Sequence, residues 1–166
     1  FRRVLFRSLV AKAAPTGHTL LVNTAAITIN PGLLKKLPYD TLRDLVPVTQ
    51  IALLPNLLVV NLSLPVNSVP ELIELAKKSP LTYGSSGTGT GAHLAGELFR
   101  ASAGIQLTHV PYKGGSALMP DLMAGRLQLT FATLPSSLPF VKTGKLKALA
   151  TASSHRSPTL PDIPTI

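Results

Sequence analysis

Residues 81–94 read LTYGSSGTGTGAHL, a short apolar run that leads through seven small residues into a second apolar pattern. From Ala92 onward, apolar residues recur at the spacing of an amphipathic helix. The stretch therefore predicts a strand, a loop of glycines and hydroxyls, and a helix. Glycine lets the backbone approach a ligand closely, and the first N–H groups of a helix have no partner within it. Together with the helix dipole, these features predict a pocket for an anion, either phosphate or carboxylate.

The loop matches neither of the common nucleotide-binding motifs. A Walker loop ends in Gly-Lys-Ser/Thr, whereas this loop ends in Thr90-Gly91-Ala92. A dinucleotide fingerprint has the spacing G-x-G-x-x-G, whereas Gly87, Gly89 and Gly91 give G-x-G-x-G. A solvated glycine-serine linker is the alternative interpretation, but the loop joins two patterned elements rather than two domains.

The rest of the chain alternates between strand and helix patterns. Ser68 and Glu71 form a capping box that opens a helix through Lys78, and Gly104 ends the helix that follows the loop. Beyond the loop, helices are predicted at 116–124 and 136–143. Further strand patterns occupy residues 19–23, 45–53, 57–61, 107–110, 127–131 and 146–151. This alternation predicts an α/β fold with a parallel sheet, in which ligands bind beyond the carboxyl ends of the strands.

Composition excludes several classes of protein. Of the 166 residues, 45% are hydrophobic and 14% are charged, which is typical of a globular chain. No apolar run reaches the roughly 18 residues that a membrane-spanning helix needs. Cysteine is absent, so disulfides and thiolate metal sites are excluded. The net charge of +9 comes from scattered residues without a basic stripe or interleaved aromatics, so no nucleic-acid partner is predicted.

Catalytic and metal-binding patterns are also missing. No two histidines have metal-ligand spacing, and Ser85 and Ser86 lie in no G-x-S-x-G elbow. The sequence therefore predicts no catalytic residue, no metal and no cofactor. His93, in the first turn of the predicted helix, either donates to the anion or hydrogen-bonds the loop. His109, late in a strand, is predicted to be a packing or turn residue.

Residues 1–8 differ in pattern from the rest of the chain. Their sequence, FRRVLFRS, resembles the translation of a common sequencing adapter, and we expect it to pack against nothing specific. On this interpretation the chain is a fragment whose true N-terminus is missing.

Motifs along most of the chain stand in the order seen in one receptor family. They are Leu37-Pro38-Tyr39-Asp40, Val59-Val60-Asn61, Tyr83-Gly84-Ser85, residues 92–99 (AHLAGELF), residues 109–114 (HVPYKG), Leu134-Pro135-Ser136, Gly144-Lys145-Leu146 and residues 160–165 (LPDIPT). Over residues 10–166 the chain resembles the Bug-type receptors, the substrate-binding proteins of tripartite tricarboxylate transporters.

The resemblance implies a periplasmic receptor with two α/β domains of the type II periplasmic-binding fold, here truncated. It implies parallel-rich sheets flanked by helices, and a membrane permease as partner. The ligand would be a small organic carboxylate: a dicarboxylate, a tricarboxylate or a related acid. Members of the family often carry an Asp where Ala132 and Thr133 stand here, which favours a plain carboxylate over an ammonium-bearing ligand. The implied ligand-binding residues are Thr24, Ala25, Ala26, Ile27, Ser85, Ser86, Gly87, Thr88, Gly89, Thr90, His93 and Thr133.

The predicted domain order comes from this family pattern. Residues 9–61 would form part of the first domain, 62–152 the second, and 153–166 a segment that returns toward the first. We expect the crossing near Asn61 to Pro65, where a strand pattern ends. Two other functions stay open: the ligand-sensing effector domain of a transcription regulator, and a phosphate-ester-binding enzyme domain.

Overall fold

The computed structural model describes the backbone of residues 2–166 and the side chains from Leu5 onward. The chain divides into two compact units, with the boundary between Ala52 and Leu53. In the first unit lie the helices α1 (Arg2–Ala11) and α2 (Ala26–Leu33). In the second unit lie β1 (Asn56–Val60), α3 (Val69–Lys78), β2 (Leu81–Ser85), α4 (Gly91–Ala103), β3 (Leu107–Pro111), α5 (Gly115–Met123), β4 (Leu129–Thr133), α6 (Leu134–Lys142) and β5 (Lys147–Ala152).

The five strands form one mixed sheet in the order β3-β2-β4-β1-β5. β2 pairs in parallel with β3 and β4, as the sequence predicted, whereas β1 pairs antiparallel with both β4 and β5. The predicted α/β class is confirmed, but β1 interrupts the parallel order. All four residues of Leu57–Val60 are fully buried, which fits the position of β1 between β4 and β5. A strand that is apolar on both faces is stable in the middle of a sheet covered on both sides.

Helices cover the sheet on both faces. Leu58 and Val60 of β1 pack into a cluster with residues of α3 and α4, while Leu57 and Val59 pack into a second cluster with residues of α5. This alternation results from the two-residue period of a strand. The result is a three-layer arrangement in which α4 lies on one face of the sheet.

The predicted start of α3 and the predicted end of α4 are confirmed. The Ser68 hydroxyl accepts a hydrogen bond from the Glu71 N–H at 3.3 Å and donates to the Glu71 carboxylate at 3.0 Å. At the C-terminal end of α4, Gly104 has φ = +63°, the left-handed conformation that glycine adopts without strain.

Two predicted strands are wrong. Residues 19–23 and 45–53 form no strand in the described part of the chain, and their apolar side chains face solvent: Leu20 is 72% exposed, Val46 85% and Ile51 75%. The pattern is that of a strand, but a strand forms only where a neighbour pairs with its N–H and C=O groups. No such neighbour is present among the described residues of the first unit.

The expectation that residues 1–8 pack against nothing is also wrong for the side chains that are described. Arg7 and Ser8 lie in α1 and are only 4% and 7% exposed, and the Arg7 guanidinium donates to the Asn23 side-chain oxygen at 3.3 Å. Phe1 and the side chains of residues 2–4 lie outside the described part. The origin of this segment stays a prediction.

The boundary between the two units lies between Ala52 and Leu53, whereas the predicted domain order, with its crossing near Asn61, stays a prediction. β1 belongs to the second unit, because it pairs on both edges with strands of that unit. Residues 153–166 also lie in the second unit, and their return toward the first domain stays a prediction. There the Thr151 N–H donates to Pro164 O at 2.7 Å, and Leu160 and Ile163 pack against the α5-side cluster.

Candidate functional site

The loop between β2 and α4 lies at the edge of the sheet where the parallel strands β2, β3 and β4 end. The strand residue before it, Ser85, is fully buried, and the Ser85 carbonyl accepts a hydrogen bond from the Tyr112 N–H beyond β3 at 2.9 Å. The loop is therefore fastened to two neighbouring strand ends. This is the edge at which ligands bind in open α/β sheets.

Two glycines give the loop its shape. Gly87 has φ = +131° and Gly89 has φ = +75°, both in the region that side chains disfavour. A Cβ atom on Gly87 would also lie 3.3 Å from the Tyr112 carbonyl oxygen. Any larger residue at Gly87 would meet both backbone strain and this close approach.

Several of the predicted ligand donors are used inside the loop. The Gly87 N–H donates to the Ser85 hydroxyl at 3.2 Å, and the Gly89 N–H donates to His93 Nδ1 at 3.3 Å. The Thr90 hydroxyl donates to Gly87 O at 2.7 Å and accepts from the His93 N–H as the helix N-cap. These groups hold the loop in place, and of the two roles predicted for His93 the structure shows the hydrogen bond to the loop.

The donors left over are backbone N–H groups of Thr88, Gly91 and Ala92. None of the three has a hydrogen-bond partner in the described part of the chain. Gly91 and Ala92 are the first two residues of α4, so their N–H groups have no partner in the helix and lie at its positive end. An anion at this position would be bound by neutral donors.

The role of His109, which holds the start of the loop through its contact with Ser85, was missed in the sequence analysis. Its Nε2 lies 2.7 Å from the Ser85 hydroxyl oxygen, and its ring stacks between His93 and Tyr83 with centroid distances of 4.2 and 4.9 Å. Burial lowers the pKa of the His109 imidazole and the neighbouring His93 lowers it further, so the ring is neutral. In the sequence, a histidine two residues before the end of a strand is only a weak indication of a role at the site. The pairing of β2 with β3, which the sequence does not show, brings it to Ser85.

Tyr83, at one end of this stack, fixes the position of α4 relative to β2. The Tyr83 hydroxyl donates to the Glu97 carboxylate at 2.6 Å, and Glu97 pairs with Arg100 at 2.8 Å. Burial, together with the neighbouring Glu97 carboxylate, raises the pKa of Tyr83, so its hydroxyl stays protonated. The hydrogen bond from Tyr83 in turn lowers the pKa of Glu97, which remains a carboxylate. The pair anchors the first turns of α4 to β2.

Thr133 ends β4 and lies opposite Asn56, the first residue of β1. Ser136 donates its hydroxyl proton to Thr133 O at 2.8 Å, and the two hydroxyl oxygens are 3.0 Å apart. The two hydroxyls thus bond each other at the start of α6, and either of them can be the donor. The predicted ligand residue Thr133 is exposed at the correct edge, but its hydroxyl already has a partner in Ser136.

The other predicted ligand residues lie in the first unit, before and at the start of α2. Thr24 and Ala25 precede the helix, whereas Ala26 and Ile27 are its first two residues. The Thr24 hydroxyl accepts a long hydrogen bond from the Ala26 N–H at 3.5 Å, and the Asn23 side chain accepts from the Thr24 N–H at 2.8 Å. The predicted loop is thus a helix start, and its N–H groups bond within the turn: those of Ile27 and Thr28 donate to Thr24 O and Ala25 O.

The whole chain is similar to one family of transport receptors. Residues 3–166 match the family model of the tripartite tricarboxylate transporter family receptor, TctC. The chain belongs to this receptor family. Protein BugT of Bordetella pertussis is 34% identical over 167 residues, which cover 98% of this chain and 51% of BugT.

Two solved receptors share the fold. Rpa4515 of R. palustris, solved with adipate, has a TM-score of 0.91 at 40% identity over 98% of this chain and 56% of its own. MatC of Rhodopseudomonas palustris, solved with bound malate, has a TM-score of 0.81 at 27% identity over 98% of this chain and 56% of its own. The fold is thus that of a periplasmic binding protein of the TctC type, and the chain spans about half the length of the relatives that it matches.

Two further observations concern metal-ligating side chains and membrane-spanning helices. No cluster of three or more metal-ligating side chains of the His, Cys, Asp or Glu type occurs among the described residues. Within the same residues, no helix is long and apolar enough to cross a membrane.

Proposed function

We propose that this chain forms part of a periplasmic receptor that captures a small organic carboxylate for a tripartite tricarboxylate-type transporter. The observation that carries the proposal is the group of N–H donors of Thr88, Gly91 and Ala92 at the positive end of α4, which have no partner among the described residues. Membership of the receptor family supports it, as do the similar receptors that hold adipate and malate. Residues 24–27, at the start of α2, remain proposed ligand residues because of the family resemblance.

The lining favours a plain carboxylate over an amino acid. Residues 85–93 contain no acidic side chain, and Ala132 and Thr133 supply none at the end of β4. An ammonium group would therefore find no anionic partner among these residues. Backbone N–H groups and the positive end of a helix dipole favour a negatively charged group, such as an ionised carboxylate. Adipate, a dicarboxylate without an ammonium group, is accordingly the first ligand to test.

An enzymatic function is less well supported. The 2.7 Å contact of Ser85 with His109 has the geometry of a nucleophile and its base. However, Ser85 is 0% exposed, and its oxygen already accepts a hydrogen bond from Gly87. The His109 ring stacks on two other rings instead of bonding a carboxylate that would orient it. We therefore assign the pair to loop support.

The loop glycines provide the direct experiment. Adipate should be titrated into the ¹⁵N-labelled chain, with the amide shifts of Thr88, Gly91 and Ala92 as the readout. Gly87→Val should weaken binding by at least about tenfold, because valine strongly disfavours φ = +131°. The control Thr88→Ser keeps the backbone and a hydroxyl and should bind like the unchanged chain. If adipate moves none of these amides, or if Gly87→Val binds normally, the proposed site is wrong.

A further inference from the structure

Asn56 lies at the candidate site because β1 is antiparallel to its two neighbours. In the register of the sheet, Asn56 lies opposite Thr133 at the end of β4 and opposite Ala152 at the end of β5. The first residue of an antiparallel strand thus stands at the edge where the parallel strands end. Nothing in the sequence alone indicates this position.

The strand period places the Asn56 side chain on the face that α4 covers. Leu58 and Val60 pack into the cluster on that face, and Asn56 is two residues before Leu58. A direct distance agrees: a Cβ built on Gly91 would lie 3.6 Å from Asn56 Nδ2. The amide of Asn56 therefore adjoins the first residue of α4, whose N–H has no partner among the described residues.

The pairing with Thr133 brings the two side chains close. The Leu134 N–H donates to Pro55 O at 3.0 Å, so Pro55 and Leu134, which flank this pair, form a hydrogen-bonded pair. Asn56 and Thr133 then form a non-hydrogen-bonded pair, in which facing side chains are closer together. Because the Thr133 hydroxyl is bonded to that of Ser136, the amide of Asn56 is the side-chain donor of this pair that has no bond among the described residues.

The Asn56 amide has no hydrogen-bond partner among the residues that the structure describes. The neighbouring polar groups do have partners: Thr90 and Gly87 bond each other, and Thr133 bonds Ser136. An amide carries two N–H donors, and a partly buried one without partners is disfavoured unless water or a ligand satisfies it. The unpartnered donors of Gly91, Ala92 and Asn56 are thus neighbours.

We propose that Asn56 is a specificity-determining residue, whose Nδ2 donates to a ligand carboxylate that the Gly91 and Ala92 N–H groups also bind. This inference rests on the proposed function and assigns a residue to the same site. A neutral amide donor suits an ionised carboxylate and offers no anion to an ammonium group. Replacing it by the isosteric Asp removes the donor and places a negative charge beside the ligand.

The test compares Asn56→Asp, Asn56→Ala and the control Gln106→Glu in the ¹⁵N-labelled chain titrated with adipate at one ionic strength. Gln106 is exposed immediately before β3, at the opposite edge of the sheet, so its variant makes the same charge change away from the site. A hydrogen bond to a charged group is worth about 1.5–3 kcal/mol, which corresponds to roughly 10- to 150-fold in affinity. We expect a loss of at least about tenfold for Asn56→Ala, a larger loss for Asn56→Asp, and none for Gln106→Glu.

The outcomes distinguish a failure at Asn56 from a failure of the whole site. If adipate shifts Gly91 and Ala92 in the unchanged chain but both Asn56 variants bind equally well, Asn56 has no role and only this inference fails. If adipate shifts neither amide in the unchanged chain, the proposed function fails and this inference with it. Equal weakening by Gln106→Glu would show a general charge effect and would also overturn the assignment. Circular-dichroism spectra of all variants should coincide, since the Asn56 side chain bonds no other residue of the described chain.

Discussion

The packing of α4 on β2 depends on the absence of a side chain at Gly96, so Gly96→Ala is a sharp test of this structure. A Cβ atom there would overlap the ring of Tyr83 and lie only 2.7 Å from its Cζ atom. The ring has no room to move away, because it is fully buried, stacks on His109 and bonds Glu97 through its hydroxyl. α4 would have to shift outward, together with the loop that it carries.

The expected magnitude is the difference between two opposing effects. Overpacking a core contact costs about 1–3 kcal/mol, whereas alanine in a helix is favoured over glycine by about 1 kcal/mol. Because the overlap is severe, we expect a net loss of about 1–2 kcal/mol in the free energy of unfolding. Urea unfolding monitored by circular dichroism measures this value.

The matched control is Gly115→Ala at the start of α5. There a Cβ atom meets nothing within 4 Å, so only the gain in helix preference remains. This variant should be as stable as the unchanged chain or slightly more stable. If Gly96→Ala is equally stable, the close contact between α4 and Tyr83 does not exist, and the described position of the loop is wrong.

Three further predictions concern other parts of the chain. Burial lowers the pKa of His109, so the unfolded chain binds a proton at higher pH than the folded chain, and the free energy of unfolding should fall as the pH drops below about 6.5. Unfolding measured at several pH values should show a smaller loss in His109→Gln. The same dependence of stability on pH in both proteins would contradict this prediction. Ser68→Ala should lower the free energy of unfolding by about 1 kcal/mol through loss of the N-cap, while the exposed Ser79→Ala should not. Deleting residues 1–8 should increase proteolysis of the first unit, because Arg7 and Ser8 are buried; unchanged cleavage would refute that packing.

Local sequence determined the elements around the loop. The capping box of α3, the Gly104 that ends α4 and the strand-loop-helix pattern of residues 81–94 are all set by residues within a few positions of one another. Short-range hydrogen bonds and backbone preferences decide such features, so they are readable without a fold. The family resemblance, carried by motifs along the chain, is likewise confirmed by the family match.

Tertiary structure decided which groups are available to a ligand. The sequence predicted the loop glycines and Thr90 as ligand residues, but the fold uses their polar groups to bond Ser85 and His93 or one another. It brings His109 under the loop and Asn56 beside Gly91 through strand pairings between residues far apart in the chain. The same principle explains why residues 19–23 and 45–53 look like strands yet form none: a strand depends on its neighbour, and a single sequence pattern does not contain that neighbour.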